Sequence, residues 1–259
     1  MSDLFSLADK RAFITGGTSG IGRAVAEAFV TQGATVVVAD ITDGTAVADE
    51  IGARFVSVDV SNEDSVRDTL EQAVELCGGK LDTVVLNAGI GDVGPTFEET
   101  DQALIDKVTR VNHWGVLYGL KHAPACMNDG GSIISTSSMA AFINVPGAGV
   151  YSAGKRAVNS MTEMSALELG ARGIRVNCIC PGYTATALGS SEDGKKICEA
   201  FTALGRVASV DDMAGVFVFL ASDASSYMTG QSLKVDGGWD CGPTEKLLEL
   251  VTGHTSAPG

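Results

Sequence analysis

The chain has 259 residues, of which 45% are hydrophobic and 19% are charged. This composition is typical of a globular protein and excludes a disordered or collagen-like chain. Its 18 basic and 32 acidic residues give a formal net charge of −14, which repels phosphate backbones and anionic lipid surfaces, so we expect no nucleic-acid partner and no membrane partner.

Short β-branched runs alternate with longer helical patterns from residue 11 onward, which indicates βα units around a parallel sheet. The predicted strands are 11–15, 34–40, 54–58, 83–86, 132–136, 175–179 and 232–235. The predicted helices are 20–32, 63–77, 102–123, 150–169 and 210–221. The sequence therefore predicts an α/β fold in one domain over 1–259, with a core at 10–239 and a C-terminal extension at 240–259. Its centre is a doubly wound, parallel, seven-stranded sheet with helices on both faces.

A glycine-rich turn joins the first strand to the first helix, and it reads Thr15-Gly16-Gly17-Thr18-Ser19-Gly20-Ile21-Gly22. Glycines there permit positive φ and a close approach of the backbone, so that the helix N-terminus can meet a pyrophosphate. By itself the turn is a weak signal, because its spacing is not G-x-G-x-x-G and a turn without a ligand also uses glycines.

A carboxylate at the end of the second strand strengthens this interpretation. Asp40 lies 18 residues after Gly22, close to the spacing of about 20 at which an acidic residue accepts hydrogen bonds from ribose hydroxyls. A 2′-phosphate beside Asp40 would be repelled, at a cost of about 4 kcal/mol for one charge pair. Neither Ser19 nor Ile41 is a cation that could offset this repulsion, so the sequence predicts NAD as the cofactor in preference to NADP.

Tyr151 and Lys155 lie four residues apart in a predicted helix and therefore project from one face. A free tyrosine is a poor base at neutral pH, but a nearby cation can lower the pKa of its hydroxyl by about 3 units. Such a tyrosine can act as a general base. Taken alone, a pair at this spacing is more often a solvated helix face, and its meaning depends on the other motifs.

The cysteines and the N-terminus indicate the compartment. Six cysteines are scattered without C-x-x-C spacing, and only three histidines could help to ligate a metal. We expect neither a disulfide framework nor a metal site. Residues 1–10 contain no apolar run of signal-peptide length, and no stretch of the sequence is apolar enough to span a bilayer. The sequence therefore predicts a cytoplasmic protein.

Taken together, the motifs resemble those of the short-chain dehydrogenase/reductase family from residue 10 to about residue 239. The matching residues are Gly16, Gly20, Gly22, Asn87-Ala88-Gly89, Asn112, Ser138, Tyr151, Lys155, the run Pro181-Gly182-Tyr183-Thr184-Ala185-Thr186 and the run 230–238. The resemblance implies a Rossmann fold and an oxidoreductase that uses a nicotinamide cofactor.

The resemblance also implies roles for individual residues. Ser138, thirteen residues before the tyrosine, would hydrogen-bond the substrate oxygen, and Tyr151 would exchange its proton. Lys155 would lower the pKa of the tyrosine and bind the nicotinamide ribose, while Asn112 would interrupt its helix and hold a water for a proton relay. The implied cofactor contacts are Gly16, Ser19, Gly20, Ile21, Gly22, Asp40, Ile41, Asp59, Val60, Asn87, Ala88, Gly89, Tyr151, Lys155, Pro181, Gly182, Thr184 and Thr186.

The leading hypothesis is an NAD-dependent dehydrogenase that interconverts a secondary alcohol and its ketone. By analogy with the family, the residues near the substrate are mostly apolar: Val93, Phe97, Met139, Phe142, Val145, Tyr183 and Leu188. A neutral hydrophobic substrate is therefore expected. Two alternatives stay open, a 3-oxoacyl-(acyl-carrier-protein) reductase and a non-catalytic protein that senses NAD or acts as a scaffold. The charge of −14 and Asp40 count against the first.

Apolar residues surround much of the two long predicted helices, which suggests a partner subunit. These residues are Gly115, Val116, Gly119, Met161, Met164 and Ala166. The family's usual assembly implies a homotetramer or a homodimer. In the C-terminal extension, four apolar residues predict a short helix that could pack locally or contact a subunit: Leu247, Leu248, Leu250 and Val251.

Overall fold

The computed structural model describes residues 4–91, 94–186 and 192–253. Within them, seven strands form one sheet in which every neighbouring pair is parallel, in the order β3-β2-β1-β4-β5-β6-β7. The strands are β1 Arg11–Thr15, β2 Thr35–Asp40, β3 Arg54–Ser57, β4 Leu81–Leu86, β5 Met127–Thr136, β6 Arg175–Pro181 and β7 Ser232–Val235. This is the doubly wound Rossmann sheet that the sequence predicts.

Helices cover both faces of the sheet. They are α1 Gly20–Thr31, α2 Thr45–Ile51, α3 Glu63–Cys77, α4 Gln102–Thr109, α5 Gly115–Cys126, α6 Gly149–Leu169, α7 Glu192–Phe201, α8 Val210–Ala221 and α9 Glu245–Thr252. The apolar faces of α3, α5 and α6 bury one side of the central strands, and those of α1, α2 and α8 bury the other. The central strands are apolar almost throughout because water reaches neither face.

The strand order reverses between β1 and β4, which pair with Phe13 opposite Val84. The chain after β1 turns outward through α1 to β2, and the chain after β4 continues toward β5 on the other side. The two loops therefore separate at the carboxyl ends of β1 and β4 and leave a crevice, which is where open α/β sheets bind ligands. The predicted catalytic and cofactor-binding residues lie in or beside the loops at this edge, whereas Val93 and Leu188, which are expected near the substrate, lie outside the described residues.

The single helix predicted over 102–123 is wrong, because the chain forms α4 and α5 with a π-helical turn between them at Arg110–Trp114. The wider turn contains Asn112, which is fully buried and which the resemblance expects to interrupt its helix. The interruption is confirmed. A side chain that bonds outside the helix, as Asn112 does here, can interrupt the regular ladder.

Two short helices are absent from the sequence prediction. The first, α2, has seven residues and the second, α7, has ten, and both are shorter than the window of about 11 to 18 residues over which helical spacing is recognised. The helix expected in the extension is confirmed as α9, while residues 254–259 lie outside the described residues. Among the described helices, we find none that combines the length and the apolar character needed to cross a bilayer.

Candidate active site

The glycine turn, residues 15–22, is shaped by positions that admit no side chain. Gly16 and Gly20 have positive φ of 64° and 52°, which L side chains rarely adopt. A Cβ at Gly22 would collide with the carbonyl oxygen of Gly16. Ser19, which precedes α1, makes no side-chain capping bond to the first turn. The first amide hydrogens of α1 are thus left for an anion at the positive end of the helix.

Asn87 and Thr15 join the turn after β4 to the turn after β1. The hydroxyl of Thr15 accepts hydrogen bonds from the backbone N–H groups of Asn87 and Ala88, at 3.0 and 3.1 Å. The amide of Asn87 donates to the carbonyl oxygens of Thr15 and Gly16 and accepts from the hydroxyl of Thr136. The side chains of Thr15 and Thr136, which the sequence analysis did not single out, therefore fix the predicted residues 87–89.

Asp40 ends β2 beside the glycine turn, as the sequence predicts, and its carboxylate is held by two donors. The hydroxyl of Thr18 donates to Oδ2 at 2.7 Å, and the backbone N–H of Thr42 donates to Oδ1 at 3.3 Å. Ile41 is 71% exposed. The two hydrogen bonds therefore orient the partly buried Asp40 carboxylate, and the adjacent Ile41 side chain is accessible to solvent.

The remaining cofactor candidates also lie at this edge of the sheet. Val60 is buried against Gly115, and the carboxylate of Asp59 accepts hydrogen bonds from Ser61. On the other side of the crevice, the 181–186 run begins at the end of β6. Its Thr186 methyl group lies 3.4 Å from the position of a Cβ at Gly20. The run after β6 thus meets the glycine turn, although the contacting residues are 166 positions apart in the sequence.

Ser138 and Tyr151 meet at the start of α6. Ser138 follows β5, and its hydroxyl accepts a hydrogen bond from the N–H of Ala140 at 3.1 Å. It also lies close enough to the Tyr151 hydroxyl to stabilise its ionised form. Burial raises the pKa of Tyr151, and the nearby Ser138 hydroxyl lowers it by less. This differs from the lowered pKa that the sequence analysis expects, because burial of the phenolate outweighs the stabilising contact in the chain by itself.

Lys155 is almost completely buried, at 3% exposure. Its ammonium group donates to the carbonyl oxygen of Thr136 at 2.8 Å and lies 5.7 Å from the centre of the Tyr151 ring. Ser137 donates to the Lys155 carbonyl at 2.9 Å and so joins α6 to the end of β5. Burial lowers the pKa of Lys155 from 10.5 to about 8. The charged form is therefore costly, which is typical of a functional lysine.

Asn112 and Lys155 converge below Gly89. The amide of Asn112 accepts from the N–H of Ile90 and donates to the carbonyl of the same residue, at 2.8 and 2.7 Å. A Cβ at Gly89 would lie 3.1 Å from Asn112 Oδ1 and 3.4 Å from Lys155 Nζ. Asn112 thus positions the loop after β4, and Gly89 leaves open the space above the lysine.

The lowered pKa of Lys155 predicts how stability depends on pH. The unfolded chain, with an ordinary value of 10.5, binds more protons than the folded chain down to about pH 8, so this group makes stability rise with pH across that window. Below pH 8 the buried charge costs about 3 kcal/mol. Lys155→Met should therefore stabilise the cofactor-free protein at pH 7, by about 2 kcal/mol once the lost bond to Thr136 is included.

Urea unfolding at pH 7 and at pH 10 measures this effect. The advantage of Lys155→Met should shrink at the higher pH, and Lys107→Met, at an exposed lysine of α4, should change stability little at either pH. A Lys155→Met protein that is less stable than its parent at pH 7 would contradict the pKa assignment.

The residues expected around the substrate fall into three groups. Val93 and Leu188 lie outside the described residues. Phe97 and Val145 are 78% and 44% exposed. Met139, Phe142 and Tyr183 are at least partly buried: Met139 belongs to the core, and the ring of Tyr183 lies so close to α7 that only a glycine, Gly194, fits beside it.

A glycine also places Phe97. A Cβ at Gly149, the first residue of α6, would collide with the Phe97 ring. The backbone N–H of Gly94 donates to the carbonyl of Gly147 at 3.0 Å. These two contacts hold the segment with Phe97 against the start of α6, two residues before Tyr151, while most of the ring stays accessible. The structure thus places an exposed aromatic surface near the predicted base.

The arrangement fits a dinucleotide. Glycines whose missing side chains leave room, an uncapped helix N-terminus and an oriented carboxylate lie along one crevice. The Ser138 and Tyr151 hydroxyls and the Lys155 ammonium lie at its other end. Such a set can bind a phosphate-bearing cofactor and exchange a proton with a substrate oxygen.

Comparisons with known proteins show which proteins this chain resembles. A family model described as "Enoyl-(Acyl carrier protein) reductase" matches residues 16–240. The borneol dehydrogenase of Lavandula x intermedia, described as mitochondrial, is 41% identical and covers 90% of this chain and 91% of its own. The secoisolariciresinol dehydrogenase of Forsythia intermedia is 37% identical, with 94% of each chain covered. The cis-4-hydroxycyclohexanecarboxylate dehydrogenase of Sinomonas cyclohexanicum is 36% identical, covering 90% and 98%.

Solved structures also resemble this chain. A short-chain type dehydrogenase/reductase from Mycobacterium marinum has a TM-score of 0.88 at 37% identity, covering 93% of this chain and 99% of its own. A blue fluorescent protein from a metagenomic library, solved in complex with NADPH, has a TM-score of 0.85 at 33% identity, covering 90% and 99%. The similarity thus extends over nearly the whole chain.

Proposed function

Because the chain belongs to the short-chain dehydrogenase/reductase family, we propose that it is an NAD-dependent dehydrogenase that interconverts a neutral hydrophobic secondary alcohol and its ketone. The observation that carries the proposal is the convergence of Ser138, Tyr151 and Lys155 at the end of β5, beside a crevice shaped for a dinucleotide. The absorbance band of the reduced nicotinamide, followed with a panel of alcohols, tests it directly.

The proposed cofactor site runs along the crevice. The N-terminus of α1 holds the pyrophosphate, Asp40 accepts from the adenosine ribose, Asp59 and Val60 flank the adenine, and Thr184 and Thr186 hold the nicotinamide end. A bound nicotinamide supplies the carbon that accepts or releases the hydride. NAD is proposed over NADP because of the charge on Asp40, although one structural relative was solved with NADPH.

The proposed chemistry of the chain itself is a proton transfer. Ser138 and Tyr151 hold the substrate oxygen between their hydroxyls, so that the reacting carbon faces the crevice. Tyr151 takes the proton of an alcohol or gives its own proton to a ketone. Lys155 stabilises the phenolate and holds a ribose, and Asn112 links the lysine to solvent through a water.

The substrate class follows from the exposed apolar groups near Tyr151. Phe97 and Val145 offer an apolar surface to a ring or chain, and such a surface cannot pair an anion. The nearby ammonium of Lys234 lies 4.3 Å from the centre of the Phe142 ring, but it is already paired with Asp240. Borneol, which one relative is named for, is a neutral cyclic alcohol of the proposed kind.

A substrate comparison tests this class. With NAD, borneol and cyclohexanol should give a kcat/KM at least about tenfold above that of cis-4-hydroxycyclohexanecarboxylate, since burial of an unpaired carboxylate costs more than 1 kcal/mol. Phe97→Ala should raise KM for the cyclic alcohols more than it lowers kcat. Tyr227→Ala, which also removes an exposed aromatic side chain, should leave both unchanged. A higher kcat/KM for the carboxylate would overturn the proposed class.

A second candidate function is supported by the description of the matching family model, which names a carrier-protein reductase. Such an enzyme would reduce a 3-oxoacyl group on an acidic carrier, and the net charge of −14 opposes that docking. Activity with 3-oxoacyl thioesters in excess of activity with alcohols would favour this alternative. Cofactor binding without turnover on either class would instead favour the non-catalytic sensor or scaffold.

We also propose a homotetramer or a homodimer in the cytoplasm. Of the residues named from the sequence, Gly115, Val116, Gly119 and Ala166 are buried within the chain, as expected for the face of each helix that packs on the sheet. Neighbouring residues give better support, since Trp114, Leu117, Met164 and Leu167 are 39%, 43%, 56% and 80% exposed. Light scattering decides the assembly.

A further inference from the structure

We propose that Thr18 is a positioning residue that holds Asp40 in the orientation from which it selects the cofactor. The inference rests on the proposed function, because it concerns the same cofactor site. The glycines of the turn and the N-terminus of α1 are explained by the proposed binding of a pyrophosphate, but the threonine at position 18 is not. The inference gives this side chain a role.

The contacts of Asp40 are divided between its two oxygens. Oδ2 accepts from the Thr18 hydroxyl at 2.7 Å, and Oδ1 accepts from the N–H of Thr42 at 3.3 Å. The first bond is the shorter, and hydrogen bonds to a charged acceptor are about twice as strong as neutral ones. A carboxylate offers about four lone-pair sites. One donor on each oxygen therefore fixes the carboxylate and still leaves sites for two ribose hydroxyls.

Thr18 is itself held by its surroundings. Gly44, the buried residue before α2, lies so close that a Cβ there would collide with the Thr18 methyl group and lie 3.2 Å from the Phe55 ring. The methyl group is thus confined under the start of α2. Because a β-branched side chain has few rotamers, confining the methyl group also fixes the direction of the hydroxyl. Gly44, Thr18 and Asp40 form one chain of contacts from α2 to the cofactor crevice.

This chain of contacts has a consequence for cofactor choice. Asp40 ends a strand at a partly exposed position, where a carboxylate without a fixed donor turns toward solvent. Held by Thr18, it stays where it both accepts from ribose hydroxyls and repels a 2′-phosphate. Loss of the Thr18 hydroxyl should therefore weaken NAD binding and reduce the discrimination against NADP at the same time.

Isothermal titration of the cofactor-free protein with NAD and with NADP tests the inference without relying on turnover. Thr18→Val keeps the branched shape of the side chain and removes the hydrogen-bond donor. It should therefore weaken NAD binding about tenfold and reduce the ratio of the Kd for NADP to the Kd for NAD. Thr18→Ser keeps the donor and should stay near the parent. Gly44→Ala, which displaces Thr18, should behave like Thr18→Val. Thr31→Val, at an exposed threonine in α1, is the matched control.

The outcomes separate the two proposals. A parent protein that prefers NAD, combined with a folded Thr18→Val protein that retains the parent's affinities for both cofactors, overturns the role of Thr18 and leaves the proposed function intact. A parent that binds neither cofactor overturns both. Equal losses in Thr18→Val and Thr18→Ser would also overturn the inference, because they would show that packing and not the hydrogen bond matters. Circular dichroism confirms folding of each variant.

Discussion

Replacement of Tyr151 by phenylalanine should abolish turnover and leave the affinity for NAD nearly unchanged. The substitution removes only the hydroxyl that meets Ser138 and keeps the ring beside Lys155. A general acid or base contributes a factor of about 10² to 10⁴ in rate. The Ser138 hydroxyl remains in the variant, but it cannot replace Tyr151 as the base. We therefore expect kcat to fall by a factor on the order of 10³ or more. Steady-state rates at saturating substrate give kcat, stopped-flow measurement gives the rate of the hydride-transfer step, and titration gives the affinity.

Lys155→Ala is the informative comparison, because it should impair both turnover and NAD binding. The pH dependence offers a further check. Burial raises the pKa of Tyr151, so the phenol is the form present at neutral pH, and this form protonates a ketone. Alcohol oxidation, which needs the phenolate, should rise with pH. Turnover at the parent's rate in Tyr151→Phe, or a flat profile from pH 6 to 10, would refute the assignment.

Replacement of Asp40 and Ile41, at the end of β2, by serine and arginine should invert the preference for NAD over NADP. Repulsion between Asp40 and a 2′-phosphate, at a net cost of about 3 kcal/mol, predicts a preference for NAD on the order of 100-fold in kcat/KM. Asp40→Ser combined with Ile41→Arg removes the repulsion and supplies a fork for the phosphate. Ile41 is 71% exposed, so an arginine there has room to reach the cofactor without disturbing the core.

Initial rates with both cofactors over a range of concentrations give the two values of kcat/KM. Asp40→Ser alone should lower the ratio of kcat/KM for NAD to kcat/KM for NADP. Addition of Ile41→Arg should lower this ratio further, so that NADP becomes the preferred cofactor. Asp40→Ser combined with Ile41→Leu is the control for the change in side chain at position 41. Comparable efficiencies for NAD and NADP in the unmodified protein would show that the Asp40 carboxylate faces away from the ribose, and the assignment of NAD would fail.

The strands and most helices could be predicted because their signals are local. The runs at 11–15 and 34–40 are apolar and β-branched over a few consecutive residues, and β1 and β2 form at almost those bounds. The spacing of Val66, Leu70 and Ala73 predicts α3, whose buried face they form. Such patterns need no knowledge of distant residues, since each records only which face an element buries.

The motif residues of the site were also readable from the sequence. The glycine turn, Asp40, Asn87 and the 181–186 run all follow predicted strands, and parallel strands bring their carboxyl ends to one edge. The resemblance to the short-chain dehydrogenase/reductase family implied the roles of the remaining residues, Asn112, Ser138, Tyr151 and Lys155. What the motifs did not contain was the order of the strands, which places β1 beside β4 and so opens the crevice between them.

Contacts between distant segments account for the features that the sequence did not predict. The resemblance implies the interruption at Asn112, but only the fold brings the Asn112 amide to the backbone of Ile90. Burial of Lys155 under β5 lowers its pKa, and burial of Tyr151 raises its own, contrary to expectation. The bond from Thr18 to Asp40 joins residues 22 positions apart. Desolvation and hydrogen bonding depend on which groups the fold brings together, whereas a local pattern reports only the neighbours along the chain.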